Sequence, residues 1–360
     1  MKKMLTAFLT MVLLLTGCTA TPVVIHPDAV SSKAETSENS MAESAAGKNE
    51  ASTAEETAVR TGLALVTDIS GSADAGEEAG EAKYDVTLVA VTVDDSGVID
   101  SCVIDGISAG VQFDTSGKLT SDPAAEVLSK NELGENYGMK AYGGAKYEWN
   151  EQAAALAEYA AGKTLEELRR GAVNEAGKAA DADLASVATI RLGGYVDAIE
   201  AAVQSAEHYG AHKGDVLKLA SISDLADSTA AAADAEGKAQ LNCDAAVVTM
   251  DGEKITSCVL DSVQAAVAFD HTGKITTDLS APVQTKNQLG EAYGMKQYAG
   301  SKYEWNEQAA AFAEYVRGKT RTEVAGIAVD ERQAPADPDL AATVTISVGG
   351  FMTLLEKAMA

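Results

Sequence analysis

The 360-residue chain is poor in the side chains that most catalytic and nucleic-acid-binding sites need. Its 28 lysines and arginines are outnumbered by 54 aspartates and glutamates, and the formal net charge is −26. A surface this acidic repels phosphate backbones, which excludes nucleic acid as a partner. The chain has only four histidines and four cysteines, and no two cysteines have the C-x-x-C spacing typical of a metal site.

The scarcity of histidine also argues against conventional hydrolase and metal chemistry. Gly106-Ile-Ser-Ala-Gly110 matches the pattern of a nucleophile elbow, but that mechanism needs a histidine base, and residues 61–204 contain no histidine. His208 and His212 are four residues apart near Asp215, with a glycine between them, and we predict no metal site there. We therefore expect no enzyme activity.

Long apolar runs are also missing, with one exception at the start of the chain. Lys2-Lys3 precedes an almost wholly apolar stretch, residues 4–15, which is too short to span a bilayer and is typical of a signal peptide. Leu15-Thr16-Gly17-Cys18 follows and resembles the lipobox of bacterial lipoproteins. The resemblance implies that residues 1–17 are removed, that Cys18 carries a lipid, and that the protein is anchored to the cell membrane on its extracytoplasmic face. An ordinary cleaved signal peptide is the alternative.

Residues 18–60 are rich in Ala, Ser, Glu, Thr and Lys and contain hardly any apolar cluster. Such a segment cannot bury enough surface to offset the entropy of ordering it. The composition predicts a disordered tether between the lipid and the first folded domain.

The strongest pattern in the sequence is a repeat at an offset of 156 residues. Residues 131–160 and 287–316 are identical at 23 of 30 positions without a gap. A match with so long a period predicts two tandem copies of one domain rather than a solenoid of short units. We expect the copies to comprise residues 61–204 and 217–360, with residues 205–216 as a linker that permits either packed or separate domains.

Each copy is predicted to be an α+β domain with a mostly antiparallel sheet packed with helices. Apolar alternation on both sides of Asp94–Gly97, and of Asp251-Gly252, predicts a β-hairpin. Helices are predicted over residues 147–161 and 195–203, and the pattern of Thr164 and Glu167 indicates a capping box. Residues 188–192 are predicted to be extended. Strands that precede helices without regular alternation favour the α+β class.

The cysteines other than Cys18 leave two alternatives open. Cys102 and Cys258 correspond at the 156-residue offset, whereas Cys243 corresponds to Thr87. We expect buried free thiols, and a bridge between Cys243 and Cys258 on neighbouring strands is the alternative.

The end of each copy carries the motif with the clearest chemistry. Residues 183–191 read DLASVATIR and residues 339–347 read DLAATVTIS, and each is followed by Gly-Gly and an amphipathic helix. These segments resemble the flavinylation motif D-x-x-S-G-A-T-x-S/T of the FMN-binding domain family of bacterial membrane-associated electron-transfer proteins. The stretch YGMK…YEWNEQ is also similar to surface lipoproteins of anaerobic Gram-positive bacteria that carry this domain in tandem.

The resemblance implies an FMN cofactor joined through its phosphate to a threonine of the motif, and a role in extracellular electron transfer. The residues that match the motif in the two copies, and are therefore candidate cofactor-binding residues, are Asp183, Ser186, Thr189, Asp339, Thr345 and Ser347.

Both copies depart from the motif at its glycine, which is Val187 in the first copy and Thr343 in the second. A β-branched side chain there is expected to stiffen the segment into a strand and to disfavour covalent attachment of FMN. Two hypotheses remain. The first is a module that binds flavin or another small ligand in a cavity lined by a motif threonine and by Trp149 or Trp305. The second is a cofactor-free scaffold or interaction protein of the cell envelope, with both tryptophans in the core.

Overall fold

The computed structural model describes residues 57–360, which lie within one compact unit of the chain. The expected signal peptide (1–17), the lipidation site Cys18 and most of the expected tether (18–60) lie outside the described residues. The last residues assigned to the tether belong to the folded part instead. Ala58 pairs with His212, Val59 is fully buried and Arg60 begins the first strand, because the linker residues 205–215 offer this segment a backbone partner.

The two halves of the described chain contain the same succession of strands and helices. The first half contains β1 (Arg60–Asp68), β2 (Gly80–Val93), β3 (Ile99–Phe113), α1 (Lys130–Leu133), α2 (Met139–Gly143), α3 (Trp149–Ala160), α4 (Leu165–Ala172), α5 (Ala182–Val187) and α6 (Gly193–Gln204). The second half contains β4 (Val216–Asp224), β5 (Gly237–Asp251), β6 (Lys254–Phe269), α7 (Lys286–Leu289), α8 (Met295–Tyr298), α9 (Trp305–Val316), α10 (Arg321–Ala325), α11 (Pro338–Ala341) and α12 (Gly349–Ala358). A short 3-10 helix follows α1 and another follows α7.

Each half forms one three-stranded antiparallel sheet, in the order β1-β2-β3 and β4-β5-β6. The hairpin turn at Asp94 forms as the sequence predicts: the Asp94 carboxylate accepts the backbone N–H groups of Ser96 and Val98, and Gly97 takes a positive φ of 83°. The predicted α+β class and antiparallel pairing are confirmed. Among residues 57–360 there is no helix long and apolar enough to cross a membrane.

The two sheets face each other across a shared core, and helices cover the outer face of each sheet. Leu88 and Ala90 on β2 point into the central core together with Leu241 and Val247 of β5, whereas Val89 and Val91 pack against the helices of the first half. This alternation is the two-residue period of a strand that is buried on both faces. At the centre, the rings of Phe113 and Phe269 stack at 4.0 Å between centroids. The two halves therefore pack as one body, which the linker alone left undecided.

Reciprocal contacts join the halves. Val127 of the first half pairs with Ser223, and Val283 of the second half pairs with Thr67. The N–H of Ala75 donates to the Gly273 carbonyl, and the N–H of Ala231 donates to the Gly117 carbonyl, both at 2.8 Å. A Cβ on Gly117 or Gly273 would lie within 2.7 Å of the facing alanine Cβ, so both crossings need glycine.

The register of the sheets corrects one sequence-based correspondence. Thr92 pairs with Ser101 across the first hairpin, but Thr249 pairs with Ser257 across the second, so β5 is offset from β2 by 157 residues rather than 156. The second hairpin is one residue shorter, and the loop before β5 is one residue longer. Cys243 therefore corresponds to Val86 and not to Thr87. Both side chains point into the central core.

The prediction that residues 188–192 are extended was wrong. Residues 182–187 form the helix α5, and residues 188–192 form a short loop that ends at the N-terminus of α6. The Asp181 carboxylate caps α5 by accepting the N–H groups of Asp183 and Leu184. This N-cap outweighs the strand preference of Val187, because a satisfied helix start stabilises even a short helix.

Candidate functional site

The matching residues of the flavinylation motif lie on the surface, on α5 and the loop after it in the first half, and at the same place in the second. Asp183 lies in the first turn of α5, and the Ser186 hydroxyl donates to the Asp183 carbonyl at 2.7 Å. Thr189 is exposed in the loop between α5 and α6. In the second half, Asp339 lies in the first turn of α11, and Thr345 and Ser347 are exposed in the loop before α12.

A buried glutamine holds each motif threonine, and this residue is missing from the sequence-based site. The Gln152 side chain, on α3, is fully buried. Its Oε1 accepts the backbone N–H of Thr189 at 2.7 Å, the N–H of Ile190 at 3.1 Å and the Thr189 hydroxyl at 3.2 Å. Its Nε2 donates to the Tyr147 carbonyl at 3.0 Å.

The second half repeats this arrangement. Gln308 Oε1 accepts the N–H of Thr345 at 2.8 Å, the N–H of Ile346 at 3.2 Å and the Thr345 hydroxyl at 3.1 Å. Both glutamines belong to the YEWNEQ stretch, where the two halves are most alike. That likeness was the only sequence signal for them. The YEWNEQ stretch thus holds the motif loop in place. The two sequence patterns that carry the family resemblance, YEWNEQ and the flavinylation motif, are in contact in the fold.

A buried glutamate fixes the segment in front of this glutamine in each half. Glu148 accepts the backbone N–H groups of Met139 and Lys140, at 2.8 and 3.0 Å, which ties α2 to the start of α3. Glu304 accepts the corresponding N–H groups of Met295 and Lys296 at 2.8 and 3.1 Å. Because α2 and α8 are each anchored by a charged acceptor, the exposed Tyr142 and Tyr298 that they carry are presented on a fixed support.

The two tryptophans are core residues. Trp149 and Trp305 are 3% and 6% exposed. Trp149 Nε1 donates to the Tyr195 hydroxyl at 2.9 Å, whereas Trp305 packs edge-on against Phe351. The Lys130 ammonium lies 5.1 Å from the Trp149 ring centroid, and the Lys286 ammonium lies 4.9 Å from that of Trp305, which are cation–π contacts. These rings are already occupied by protein groups and offer no open face for stacking.

The helix that follows each motif threonine starts without a side-chain cap. At α6 the N-cap residue is Leu192, and no side chain accepts the first N–H groups. A Cβ placed on Gly193 or Gly194 would meet no atom within 4 Å, so the space in front of this helix start is open. Exposed Arg191 precedes it. Free N–H groups at a helix start attract anions, and phosphate above all.

The same helix start is covered in the second half. A Cβ on Gly349 would lie 2.6 Å from Gln333 Oε1, so the Gln333 side chain lies against the start of α12. Gln333 occupies the place of Gly177: its carbonyl accepts the N–H of Val348 at 2.8 Å, as the Gly177 carbonyl accepts that of Leu192 at 2.7 Å. Both residues have positive φ, 62° for Gln333 and 73° for Gly177. A ligand therefore has more room at the helix start that follows Thr189 than at the one that follows Thr345.

The positions of the missing motif glycine take ordinary backbone conformations here. Val187 is the last residue of α5, and neither Val187 nor Thr343 has a positive φ. The Thr343 hydroxyl donates to the Leu340 carbonyl at 3.2 Å, a local bond to the preceding turn. The conformational reason for glycine is therefore absent in this loop. The remaining feature that disfavours covalent attachment of FMN is the bulk of the β-branched side chain two residues before the threonine.

Cavities open elsewhere on the fold. Five of them have volumes between about 80 and 400 Å³. None of these five is lined by a motif threonine or by a tryptophan. The first hypothesis required a motif threonine and a tryptophan to line one cavity. In these five they do not come together, and both threonines are exposed.

The remaining candidates from the sequence have structural partners. His208 Nε2 lies 3.0 Å from the Asp95 carboxylate, and the described residues contain no group of three or more side chains able to hold a metal. Cys243 points into the central core and Cys258 into the core of the second half, and both thiols are free. The bridge between them is thereby excluded, and burial raises the pKa of each to about 12.

No protein-family model matches the chain, and comparison with curated proteins and with solved structures gives no significant match.

Proposed function

We propose that the chain is an extracytoplasmic lipoprotein, anchored through Cys18, whose folded part consists of two tandem copies of one FMN-binding-like domain. The likeness at the 156-residue offset and the repeated glutamine–threonine contact support the duplication. The copies then occupy residues 57–204 and 216–360. In this proposal the protein carries a cofactor and is not itself an enzyme, and it takes part in electron transfer at the cell surface.

The first copy is the one that binds FMN, through the phosphate. The observation that carries this assignment is the open, uncapped start of α6 directly after exposed Thr189, with the cation Arg191 beside it. Gln152 fixes the Thr189 hydroxyl and the loop, so the phosphate-binding groups are held in place before the ligand arrives. In the second copy, the Gln333 side chain takes up the space beside Gly349 at the start of α12, and Ser347 replaces the cation.

A cofactor-free scaffold of the cell envelope is the second candidate. The buried positions of Trp149 and Trp305 favour it, because an isoalloxazine ring needs an aromatic or apolar face and both indoles are already packed.

The difference between the copies supplies the test. Equilibrium dialysis of the mature chain with FMN and with riboflavin is expected to show one FMN site, which prefers FMN because the phosphate supplies the charge. Gly177→Gln, which copies the second half, is expected to close this site. Gln333→Gly, its matched counterpart, is expected to add a second, weaker site, because Ser347 stands where the first copy has Arg191. Thr189→Ala is expected to weaken FMN binding, and Thr345→Ala, its matched control, is expected to leave it unchanged. Absence of FMN binding, or binding that Gly177→Gln leaves unchanged, would favour the scaffold.

A further inference from the structure

A groove lies between β3 and α3 on the outer side of the first sheet. It is lined on one side by residues 100–104 of β3 and Asn131, and on the other by five residues of α3 and its C-cap: Asn150, Ala154, Ala157, Glu158 and Ala161. Its volume is about 390 Å³. Gln152, which holds Thr189, belongs to the buried face of α3, so the β3–α3 groove is separate from the motif site.

The strand side of the groove is a sheet edge that is open beyond Ile99. β3 is the last strand of its sheet, and on its outer side the N–H and C=O of Ile99 bond to Lys163 and Gly162. The Ile104 carbonyl accepts Asn131 Nδ2 at 2.9 Å, and it therefore points away from β2. Because backbone groups alternate along a strand, the N–H and C=O of Cys102 point to the same side. Neither forms a backbone hydrogen bond on that side to any other part of the described chain.

The helix side contains a polar group that has no partner. Asn150 Oδ1 is buried and has no hydrogen-bond partner among the described residues, and the same is true of Asn306 Oδ1 in the second half. A buried amide oxygen without a partner costs about 1–3 kcal/mol, and both halves carry this cost at the same place. The three alanines beside Asn150 leave room for an added chain along β3.

The second half shows the same groove in a narrower form. There Arg317 takes the place of Ala161, and Arg317 and Tyr209 line a remaining cavity of about 80 Å³. Arg317 Nε donates to the Thr256 carbonyl of the strand edge at 3.2 Å, and its guanidinium pairs with Glu314. Arg317 thus bonds to the strand edge and pairs with the carboxylate that a ligand would use.

We propose that the β3–α3 groove of the first half binds an extended, basic peptide segment of another protein, which adds to β3 as a fourth strand. Main-chain hydrogen bonds to Cys102 provide the pairing, as in other cases of strand addition to a sheet edge. The exposed Glu158 carboxylate on the helix side of the groove selects lysine or arginine side chains, whereas the Asp100 carboxylate already lies 3.8 Å from Lys213 Nζ. Five strand residues line the groove, which fits a segment of about 17 Å.

The test uses the mature chain and an array of acetylated hexapeptides in which Lys or Arg alternates with Val, Ile or Thr. We expect binding of array members, and none of the same peptides with Glu in place of the basic residue. Ala161→Arg, which copies the natural residue of the second half, is expected to weaken binding at least tenfold. Ala161 and Arg317 share nearly the same backbone conformation, with φ of −59° and −58°, so arginine fits the backbone at this position.

Two further variants separate strand addition from nonspecific charge attraction. Methylation of alternate peptide nitrogens is expected to abolish binding, because a strand needs its N–H groups, while the peptide charge stays the same. Arg317→Ala is expected to open a second site and to double the stoichiometry. Failure of every array member to bind, or equal binding to Ala161→Arg, would overturn the proposal. So would self-association of the chain that Ala161→Arg abolishes, since it would assign the edge to a second copy.

Discussion

Replacement of Gln152 by Met tests whether one buried side chain holds the motif loop. Methionine has a similar volume and length, so the core around α3 stays filled. The variant removes the acceptor for the Thr189 and Ile190 N–H groups, at 2.7 and 3.1 Å, and for the Thr189 hydroxyl. It also removes the donor to the Tyr147 carbonyl, at 3.0 Å.

The expected effect is a local opening of residues 188–192. Each of the two backbone hydrogen bonds contributes about 1 kcal/mol net, so the loop loses about 2 kcal/mol of local stability. Where hydrogen exchange follows the opening equilibrium of the loop, a loss of that size makes exchange roughly thirtyfold faster, at about 1.4 kcal/mol per factor of ten. Hydrogen exchange of peptides that span residues 184–196, followed by mass spectrometry, measures it.

The second half provides the matched control. Gln308→Met is expected to speed exchange in residues 340–352 by a similar factor and to leave residues 184–196 unchanged, because Gln308 makes the same contacts only in its own half. Equal exchange in the wild type and in Gln152→Met would refute the assignment of the glutamine as the support of the motif loop. A uniform acceleration across the whole chain would refute it as well, since it would indicate global destabilisation.

Three further predictions concern the fold. Phe113→Ala removes one ring of the central stack and is expected to cost about 3–5 kcal/mol; the fluorescence of Trp149 and Trp305, one in each half, should still report one shared unfolding transition, and two separate midpoints would contradict the shared core. Burial raises the pKa of Asp261 from 3.8 to about 6, so the folded state binds its proton more tightly than the unfolded state does. The free energy of unfolding should therefore fall by up to about 3 kcal/mol as the pH rises from about 4 to about 6. Urea titrations at several pH values measure this dependence, and Asp261→Asn should remove it. The thiols of Cys243 and Cys258 should resist alkylation at pH 8 in the folded protein and react fully in urea, and mass mapping of rapid alkylation at either site without urea would contradict their burial.

Local signals in the sequence predicted those parts of the fold that local chemistry determines. The Asp94 turn, the helix that begins at Trp149 and the capping box of Thr164 with Glu167 all form, because each depends on residues a few positions apart. The loop at 188–192 was misjudged for the opposite reason. Its conformation depends on Gln152, 37 positions away, and on the Asp181 cap in front of α5, so its run of β-branched residues does not decide it.

The sequence located the motif loops but not the contacts that hold them. The motif named Thr189 and Thr345, and both are exposed in equivalent loops. It could not name Gln152 and Gln308, since a glutamine in a helix gives no sign that its side chain is buried. Nor could it show that Gly177 leaves the start of α6 open while Gln333 covers that of α12, because this difference arises between loops that meet only in the folded chain.

The central claim is that the first half binds FMN at Thr189 and the start of α6. Its most direct test is the visible absorption spectrum and intact mass of the mature protein, purified from its own host, beside the Gly177→Gln variant. We predict a flavin spectrum with one FMN for each chain, released on denaturation to leave a polypeptide without an FMN mass increment, and a colourless variant. A colourless wild-type protein, or a flavin that Gly177→Gln leaves in place, would contradict the account.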